Sequence, residues 1–273
     1  MNNLNLNLAL VKEMLERFLK EEVQKTGFKK AVIGLSGGVD SSLVAYLCAE
    51  SLGKKNVHGI LLPYRSSSPE SVRDATAVVK ALKINSQLID ISSMVDAYFE
   101  KMPDMTDLRR GNKMARERMS VLYDLSQKLG ALVIGTSNKT ELLLGYGTQH
   151  GDLASAINPL GDLYKTQVWA LAAYLKVPAP IVQKPPSADL WIGQTDEAEL
   201  GFGYREVDKL LYALIDRRAK MEDLLEQGFD KGFVEKVYKK IKDTQYKRRL
   251  PLIAKISRRT IDRDFRYARD WGK

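Results

Sequence analysis

A short run of small and hydroxylated residues is the part of this sequence that points most directly to chemistry. The segment Ser36–Ser42 (Ser-Gly-Gly-Val-Asp-Ser-Ser) follows an apolar run and precedes a helical pattern. Small residues at such a junction let backbone N–H groups approach an anion, and the helix N-terminus adds partial positive charge. A plain tight turn, which needs only one glycine, is the simpler alternative. The pattern predicts a phosphate-binding loop whose candidate residues are Gly34, Leu35, Ser36, Gly37, Gly38, Val39, Asp40 and Ser41.

The details of this loop distinguish it from two common phosphate loops. A Walker A loop places a lysine directly after its last glycine, and none follows here. The glycines at 34, 37 and 38 also lack the Gly-x-Gly-x-x-Gly spacing of a dinucleotide loop. Asp40 beside phosphates is chemically reasonable if Mg²⁺ lies between the carboxylate and the phosphate oxygens. That arrangement suits a reaction in which a magnesium-bound pyrophosphate leaves.

The elements around the loop predict an α/β fold. Strands alternate with helices over about 110 residues, which favours a doubly wound, mostly parallel sheet with helices on both faces. Such sheets bind ligands at the carboxyl ends of their strands. Apolar runs predict strands at 31–35, 57–62, 87–91 and 131–135. Helical periodicity predicts helices at 8–24, 40–52, 69–82, 113–129, 166–175, 204–215, 221–226 and 231–242.

We interpret residues 1–273 as a single domain with four parts. Residues 1–25 form an N-terminal packing helix, and residues 26–180 form the α/β core. Residues 140–203 are rich in glycine and proline, so we expect long loops around one helix. Within that stretch, residues 181–203 are predicted to be a mobile lid. Residues 204–273 form C-terminal helices and a basic tail.

The composition of the chain and its apolar runs exclude several classes of protein. The chain has 273 residues, 44% hydrophobic and 28% charged, and no apolar run approaches the roughly 20 residues that span a bilayer. We therefore expect no membrane association and a cytoplasmic setting. A single cysteine, Cys48, excludes an intramolecular disulfide and a cysteine zinc cluster.

The positive charge is concentrated at the C-terminus. Residues 246–273 hold ten basic and three acidic residues, so this tail carries +7 of the net +9. A basic tail can be a solvated surface, or it can face nucleic acid or the phosphates of a small ligand. We do not expect a nucleic-acid partner.

The loop resembles the pyrophosphate loop of the N-type ATP pyrophosphatases, which adenylylate a substrate oxygen and release pyrophosphate. Three further segments resemble NAD synthetases. They are Gly111–Met119 (Gly-Asn-Lys-Met-Ala-Arg-Glu-Arg-Met), Gly135–Glu141 (Gly-Thr-Ser-Asn-Lys-Thr-Glu), and Lys184–Leu190 followed by Gln194–Glu197. Their order and spacing also agree with that family over nearly the whole chain. The resemblance implies an adenine nucleotide alpha hydrolase-like fold.

The resemblance also implies roles at the ATP end of the site. Asp40 and Glu141 would hold Mg²⁺, and Thr136, Lys165 and Ser187 would contact ATP, with Lys165 also acting in catalysis. Two simpler interpretations remain for these residues. Glu141 can be an acid that stabilises the first turn of a helix, and Lys165 can be an ordinary surface lysine.

At the dinucleotide end, the resemblance assigns Arg116, Gln149, Asp152, Tyr246 and Lys247 to deamido-NAD. Arginine supplies a planar fork suited to phosphate or carboxylate. Asp152 would also deprotonate ammonium, since only neutral ammonia is a nucleophile. The alternative for Asp152 is a loop aspartate that caps a turn.

Two positions depart from the ammonia-dependent pattern. Gln149 and Ala156 stand where ammonia-dependent bacterial relatives carry lysine and aspartate, and the local sequence looks more like the synthetase domain of glutamine-dependent NAD synthetases. About 33 residues precede the phosphate loop, too few for a glutaminase domain. We therefore expect the chain to use free ammonia or ammonia from a separate amidotransferase subunit.

The leading hypothesis is the ATP-dependent amidation of deamido-NAD through an adenylated intermediate. The products would be NAD, AMP and pyrophosphate, with Mg²⁺ as the metal and a homodimer as the assembly implied by the resemblance. A tRNA-modifying ATP pyrophosphatase and a non-catalytic nucleotide-binding module are the alternatives.

Overall fold

The computed structural model describes residues 4–187, 189, 194–249 and 251–261. Parts of two predicted features lie outside these residues. They are Ala188 and Leu190 of the lid segment, and the basic tail beyond residue 261.

Four parallel strands form the central sheet, in the order β3-β2-β1-β4. Their bounds are Lys30–Gly34 (β1), Val57–Leu61 (β2), Asn85–Leu88 (β3) and Ala131–Val133 (β4). The chain moves outward from β1 to β3 and then returns to pair β4 with the other side of β1. The predicted doubly wound parallel sheet is therefore confirmed. The reversal between β1 and β4 is the point where such sheets bind ligands.

Twelve α-helices surround this sheet within the described residues. They are α1 Leu8–Lys25, α2 Val39–Leu52, α3 Pro69–Leu82, α4 Ser92–Phe99, α5 Asp107–Leu129, α6 Lys139–Leu144, α7 Lys165–Tyr174, α8 Ala179–Gln183, α9 Asp196–Leu200, α10 Tyr204–Leu211, α11 Met221–Glu226 and α12 Lys231–Asp243. A π-helical turn, Tyr212–Asp216, continues α10, and 3₁₀ turns cover Lys54–Asn56 and Gln245–Arg248. None of the helices in the described part of the chain is long and apolar enough to cross a membrane.

The side chains of β1 alternate between two apolar layers, as a strand with a period of two requires. Ala31 and Ile33 belong to the layer that also buries residues of α1, α2, α3, α7 and α8. Val32 belongs to the opposite layer with residues of α4 and α5. A third apolar cluster joins α6 to the C-terminal helices through Leu144 and Tyr204. The sheet is thus covered on both faces, and its carboxyl edge holds the phosphate loop.

The predicted start of α5 at residue 113 is wrong, because the helix begins six residues earlier, at Asp107. The side chain of Thr106 accepts a hydrogen bond from the Arg109 N–H and caps this earlier start. Gly111 lies inside the first turns and interrupts the apolar pattern. The periodicity alone therefore placed the start too late.

The expectation of one helix within residues 140–203 is also wrong. Besides α7, this stretch contains most of α6 together with α8 and α9, each only five or six residues long. Helices this short carry too few turns to show a 3.6-residue period. β3 also lies earlier than the predicted 87–91, because its exposed residues form the edge of the sheet and lack an apolar signal.

The central helix α2 should carry much of the stability of the core. Leu47→Ala removes a fully buried side chain and should cost about 2–5 kcal/mol in the free energy of unfolding. Leu10→Ala on α1 is the matched control, because Leu10 is 52% exposed and surface changes typically stay within about 0.5 kcal/mol. Urea unfolding followed by circular dichroism measures both. Equal decreases in the free energy of unfolding of the two variants would contradict this account of the core.

Candidate active site

A cavity of about 930 Å³ opens at the carboxyl ends of β1 and β4. The residues predicted to contact ATP, metal or dinucleotide all line it, with the exception of Gly37. Several separate stretches of the chain contribute, among them the phosphate loop, the segments 60–63 and 67–72, α5, the segment 133–154, the start of α7, the lid and the 246–247 segment. Ala156 is not among its lining residues, whereas Gln149 is.

The phosphate loop is shaped by glycine and by its own hydroxyl groups. Gly37 has a φ of +80°, and a Cβ there would come within 2.2 Å of the Ser71 carbonyl oxygen on α3. The Gly38 N–H donates to the Ser36 hydroxyl at 3.2 Å, and the Ser42 hydroxyl donates to the Gly38 carbonyl at 2.8 Å. Gly38 is the N-cap of α2 and offers no side-chain cap. The first turn of α2 therefore presents its N-terminus to the cavity, which suits an anion.

A buried lysine joins two carboxylates beside this loop. Lys165 Nζ lies 2.6 Å from Asp40 Oδ2 and 3.1 Å from Glu141 Oε1. The Lys165 side chain is 3% exposed, so the surface-lysine interpretation is wrong. Burial lowers the pKa of Lys165, but the charges of Asp40 and Glu141 outweigh it, and the net pKa is raised. The two carboxylates therefore favour the charged ammonium form of Lys165 inside the cavity.

Glu141 has two functions in the fold. Its Oε2 accepts from the Asn138 N–H at 3.2 Å, while Asn138 Oδ1 accepts from the Glu141 N–H at 3.0 Å. These reciprocal bonds form a capping box at the start of α6. The other carboxylate oxygen faces Lys165. The helix-terminus interpretation is therefore confirmed, and the role of Glu141 in the active site stays a prediction with which this geometry agrees. Burial raises the pKa of Glu141, and the Lys165 charge opposes that rise.

Asn138 is a site residue that the sequence analysis did not single out. Its Nδ2 donates to Asp40 Oδ1 at 2.9 Å, while its Oδ1 caps α6. It thereby ties the loop after β1 to the helix after β4. The signal was present in the sequence, because Asn-x-x-Glu after a strand is the pattern of a capping box.

The Asp40 and Glu141 pair has the chemistry of a magnesium site. Both carboxylates already converge on one cation, the Lys165 ammonium. Carboxylate oxygens are the ligands that Mg²⁺ prefers, and this ion usually takes one or two of them together with phosphate oxygens and water. The described residues contain no cluster of three or more side chains able to hold a metal. A Mg²⁺ ion held here would complete its shell with oxygens from the nucleotide and water.

At the opposite end of the cavity, Asp152 accepts a hydrogen bond from the Thr148 N–H at 2.9 Å. This bond caps a turn, as the simpler alternative proposed. The carboxylate is nevertheless open to the cavity, while the surrounding protein raises its pKa by desolvation. Both interpretations of Asp152 therefore agree with the geometry.

The two basic residues predicted to bind the dinucleotide, Arg116 and Lys247, and the neighbouring Arg248 all donate hydrogen bonds to backbone carbonyls. Lys247 Nζ donates to the Gly145 and Gly147 carbonyls, both at 2.8 Å. Arg248, which follows it, donates to the carbonyls of residues 142, 143 and 241. Arg116 Nε donates to the Gln149 carbonyl at 3.2 Å. The 245–248 segment therefore stabilises the loop that follows α6 through hydrogen bonds to its backbone carbonyls.

The lid contacts α3 and its N-cap through two charged side chains, Asp189 and Lys184. The Asp189 carboxylate accepts from the Ser68 N–H at 3.0 Å, and Lys184 Nζ lies 3.2 Å from Asp74 Oδ2. Ser187 Oγ donates to the Gln194 carbonyl at 2.7 Å, which joins the two ends of the lid. Residues 190–193 lie outside the described part of the chain.

Arg118 is a second residue that the sequence analysis did not single out. It lines the cavity, and its Nε donates to the Leu62 carbonyl at 2.9 Å. Burial lowers the pKa of Arg118, and the negative charges of Asp189 and Asp152 only partly offset this effect. No carboxylate of the described residues lies within ion-pair distance of this guanidinium. Its signal in the sequence was the repeated arginine of Arg116-x-Arg118.

Comparison with known proteins identifies the family. The model of the NAD synthase family matches residues 11–251, which is most of the chain. The chain belongs to the NAD synthase family. An NH₃-dependent NAD⁺ synthetase of Trichlorobacter lovleyi is 60% identical over 273 residues, 100% of both chains.

Two solved structures superimpose on most of this chain. An NH₃-dependent NAD synthetase of Campylobacter jejuni gives a TM-score of 0.79 at 36% identity, covering 92% of this chain and 100% of that one. An NMN synthetase of Francisella tularensis gives 0.81 at 32% identity, covering 92% and 99%. The resemblance drawn from the four sequence segments is therefore confirmed at the level of the family.

The conformation of Gly37 provides a test of the phosphate loop. Gly37→Ala should weaken ATP binding about tenfold or more, equivalent to ~1.4 kcal/mol, because the new Cβ would push the loop away from Ser71. Gly27→Ala is the matched control, with a φ of +82° and no atom within 4 Å of its added Cβ. Both variants carry the same backbone strain, and isothermal titration calorimetry with Mg²⁺ and ATP measures the affinity. An unchanged affinity in Gly37→Ala would exclude this role of the loop.

Proposed function

We propose that this chain amidates deamido-NAD with ammonia at the expense of ATP, giving NAD, AMP and pyrophosphate. The observation that carries the proposal is the buried Lys165 ammonium held between Asp40 and Glu141, next to the phosphate loop. Family membership supports the substrate, because the relative covered over its full length is an NH₃-dependent NAD⁺ synthetase. The tRNA-modifying and non-catalytic alternatives lack such support.

The residues predicted to bind ATP would act mainly by neutralising the negative charge of its phosphates. The N-terminus of α2 and the Lys165 ammonium face the place where the β and γ phosphates would lie. Fixed positive groups of this kind stabilise charge that develops on a leaving group. Asp40 and Glu141 would hold Mg²⁺, which when bound supplies further charge neutralisation to the pyrophosphate. Thr136 and Ser187 line the same cavity and would contact the nucleotide.

The first chemical step would form the adenylate. An oxygen of the nicotinate carboxylate attacks the α-phosphorus of ATP, and the bond from this phosphorus to the bridging oxygen breaks. The electron pair leaves with pyrophosphate. Arg116, Gln149, Tyr246 and Lys247 would hold the dinucleotide for this attack. Lys247 has three N–H donors and gives two to backbone carbonyls, so one remains for the substrate.

The second step would form the amide bond. Asp152 accepts a proton from ammonium, and the resulting ammonia attacks the activated carbonyl carbon. The carbon–oxygen bond to AMP then breaks, its electron pair leaves with AMP, and the nitrogen releases one further proton to solvent to give the neutral amide. The raised pKa of Asp152 makes it a stronger base than an ordinary aspartate. The lid between residues 184 and 197 would exclude water, which otherwise hydrolyses the adenylate.

The nitrogen source and the assembly belong to the same proposal. Ammonia is supported by the NH₃-dependent relative, which this chain matches from end to end. We propose a homodimer as the functional assembly. A separate amidotransferase subunit would be needed only if free ammonia does not support the reaction.

A direct assay tests the proposed reaction. The purified chain is incubated with ATP, Mg²⁺, deamido-NAD and ammonium, and NAD, AMP and pyrophosphate are measured by chromatography. We expect the three products in equal amounts, and chelation of Mg²⁺ should abolish them. Replacing deamido-NAD by its mononucleotide counterpart tests the reaction of the NMN synthetase relative. Absence of NAD, or a clear preference for the mononucleotide, would overturn the proposal, and turnover with glutamine alone would overturn the choice of ammonia.

The role of Asp152 can be separated from adenylation. Asp152→Asn should lower the rate of NAD formation by about 10²-fold, the lower range for general-base catalysis, while ATP–pyrophosphate exchange dependent on deamido-NAD stays near the wild-type rate. Asp162→Asn is the matched control, because the Asp162 side chain is 94% exposed. If Asp152→Asn loses both activities equally, Asp152 serves binding or folding and not proton transfer.

A further inference from the structure

The helix that begins with Lys165 is capped by other parts of the chain. Tyr164, the N-cap of α7, makes no side-chain capping hydrogen bond. The Lys165 N–H instead donates to Thr140 Oγ1 on α6 at 3.0 Å. The Thr166 N–H donates to Asp208 Oδ2 on α10 at 2.8 Å. The first N–H groups of a helix have no backbone partner within the helix. These two contacts, together with Gln167 Oε1, which accepts from the Tyr164 N–H at 2.9 Å, therefore fix where α7 starts.

Asp208 is the centre of this arrangement. Its Oδ1 accepts from the Thr140 hydroxyl at 2.6 Å, and its Oδ2 accepts from the Thr166 hydroxyl at 2.7 Å in addition to the Thr166 N–H. Asp208 and Thr140 are both 0% exposed. A carboxylate buried this deeply is costly unless several donors satisfy it. Three donors from two different helices do so here.

The network connects directly to the two charged groups of the site. Thr140 precedes Glu141 in the chain, and its hydroxyl holds the Lys165 backbone. The same hydroxyl is held by Asp208. A change in any of these contacts would move the backbone of Lys165 relative to that of Glu141. The 3.1 Å separation between Lys165 Nζ and Glu141 Oε1 depends on that backbone geometry.

α10 supports Lys165 at a second point. Lys165 Nζ lies 5.3 Å from the centre of the Tyr204 ring, and the Tyr204 hydroxyl donates to Asp196 at 3.1 Å. Tyr204 and Asp208 lie four residues apart and therefore on the same face of α10. α10 thus places the Tyr204 ring beside the Lys165 ammonium, and it places the Asp208 carboxylate against the backbone N–H of Thr166.

We propose that Asp208, acting through Thr140 and Thr166, is a positioning residue that sets the Lys165–Glu141 geometry for adenylate formation. The inference rests on the proposed function for its chemical step. The proposal gives Asp208 an effect on the rate of the reaction, although Asp208 is not among the residues predicted to touch ATP or the dinucleotide. Its effect should appear in the turnover number and in the affinity for Mg²⁺ and ATP. The KM for deamido-NAD should stay unchanged, because the hydrogen bonds of Asp208 join α6 and α7 and reach none of the residues predicted to bind the dinucleotide.

A control residue exists between the same two helices. Asp216 accepts hydrogen bonds from Lys139 at 2.8 Å and from the Tyr164 hydroxyl. Lys139 and Tyr164 are the immediate neighbours of Thr140 and Lys165, yet neither they nor Asp216 line the cavity. Loss of the Asp216 contacts therefore tests whether any link between α6 and α7 would have the same effect.

The test compares four variants with the wild type. Thr140→Val keeps the side-chain shape but removes the hydroxyl, and it should lower kcat about 10–100-fold, the range for residues that orient ligand groups. It should also weaken Mg²⁺–ATP binding in calorimetry. Thr140→Ser keeps the hydroxyl and should restore most of both. Asp208→Asn should resemble Thr140→Val, whereas Asp216→Asn should lower the melting temperature with kcat near the wild-type value.

The outcomes separate this proposal from the proposed function. If the wild type forms no NAD, the calorimetric comparison of the same variants still decides whether the network sets the ATP site. A Thr140→Val protein with wild-type kcat and ATP affinity would overturn the positioning role, even if its melting temperature falls. Equal losses of kcat in Thr140→Val and Asp216→Asn would also overturn it. If Asp208→Asn does not fold, the Thr140 pair carries the test alone.

Discussion

The ammonium of Lys165, buried between two carboxylates, is the interaction on which the rest of the site depends. A lysine with 3% exposure must be matched by negative charge, and Asp40 and Glu141 supply it from positions 125 and 24 residues away in the chain. These three side chains come from the loop after β1, the helix after β4 and the start of α7. The interaction therefore forms only when the sheet, α6 and α7 are all in place. It ties the reaction chemistry to the completed fold.

The topology explains why these segments meet. The order of strands reverses between β1 and β4, which leaves the two loops that follow them side by side at the carboxyl edge. Asn138 bridges the two loops, and its capping box with Glu141 orients the carboxylate. α10 holds α6 and α7 through Asp208, and the segment from 245 to 248 holds the end of α6 and the residues after it through Lys247 and Arg248. The cavity is built from loops, but each loop is fixed by a residue of a helix or turn.

Much of this arrangement could be predicted from the sequence, for reasons that differ between residues. The phosphate loop carries its signal locally, in small residues between a strand and a helix. Lys165 could be placed in the site only through resemblance to a family, because a lysine at the start of a helix is normally exposed. The bond between Thr140 and Asp208 spans 68 residues, and no local pattern marks it. The start of α5 was hidden by Gly111, and the short helices within 140–203 have too few turns to be periodic.

Lys247 and Arg248 have a consequence for the order in which the protein can become active during synthesis. These two residues hold the carbonyls of residues 142, 143, 145 and 147. They are made more than 95 residues after the loop that they hold. The sheet, the phosphate loop and Lys165 are therefore synthesised well before Lys247 and Arg248 can form these hydrogen bonds with the segment that leads to Asp152. A nascent chain of that length already contains the phosphate loop and Lys165, but the segment around Asp152 still lacks the hydrogen bonds that Lys247 supplies.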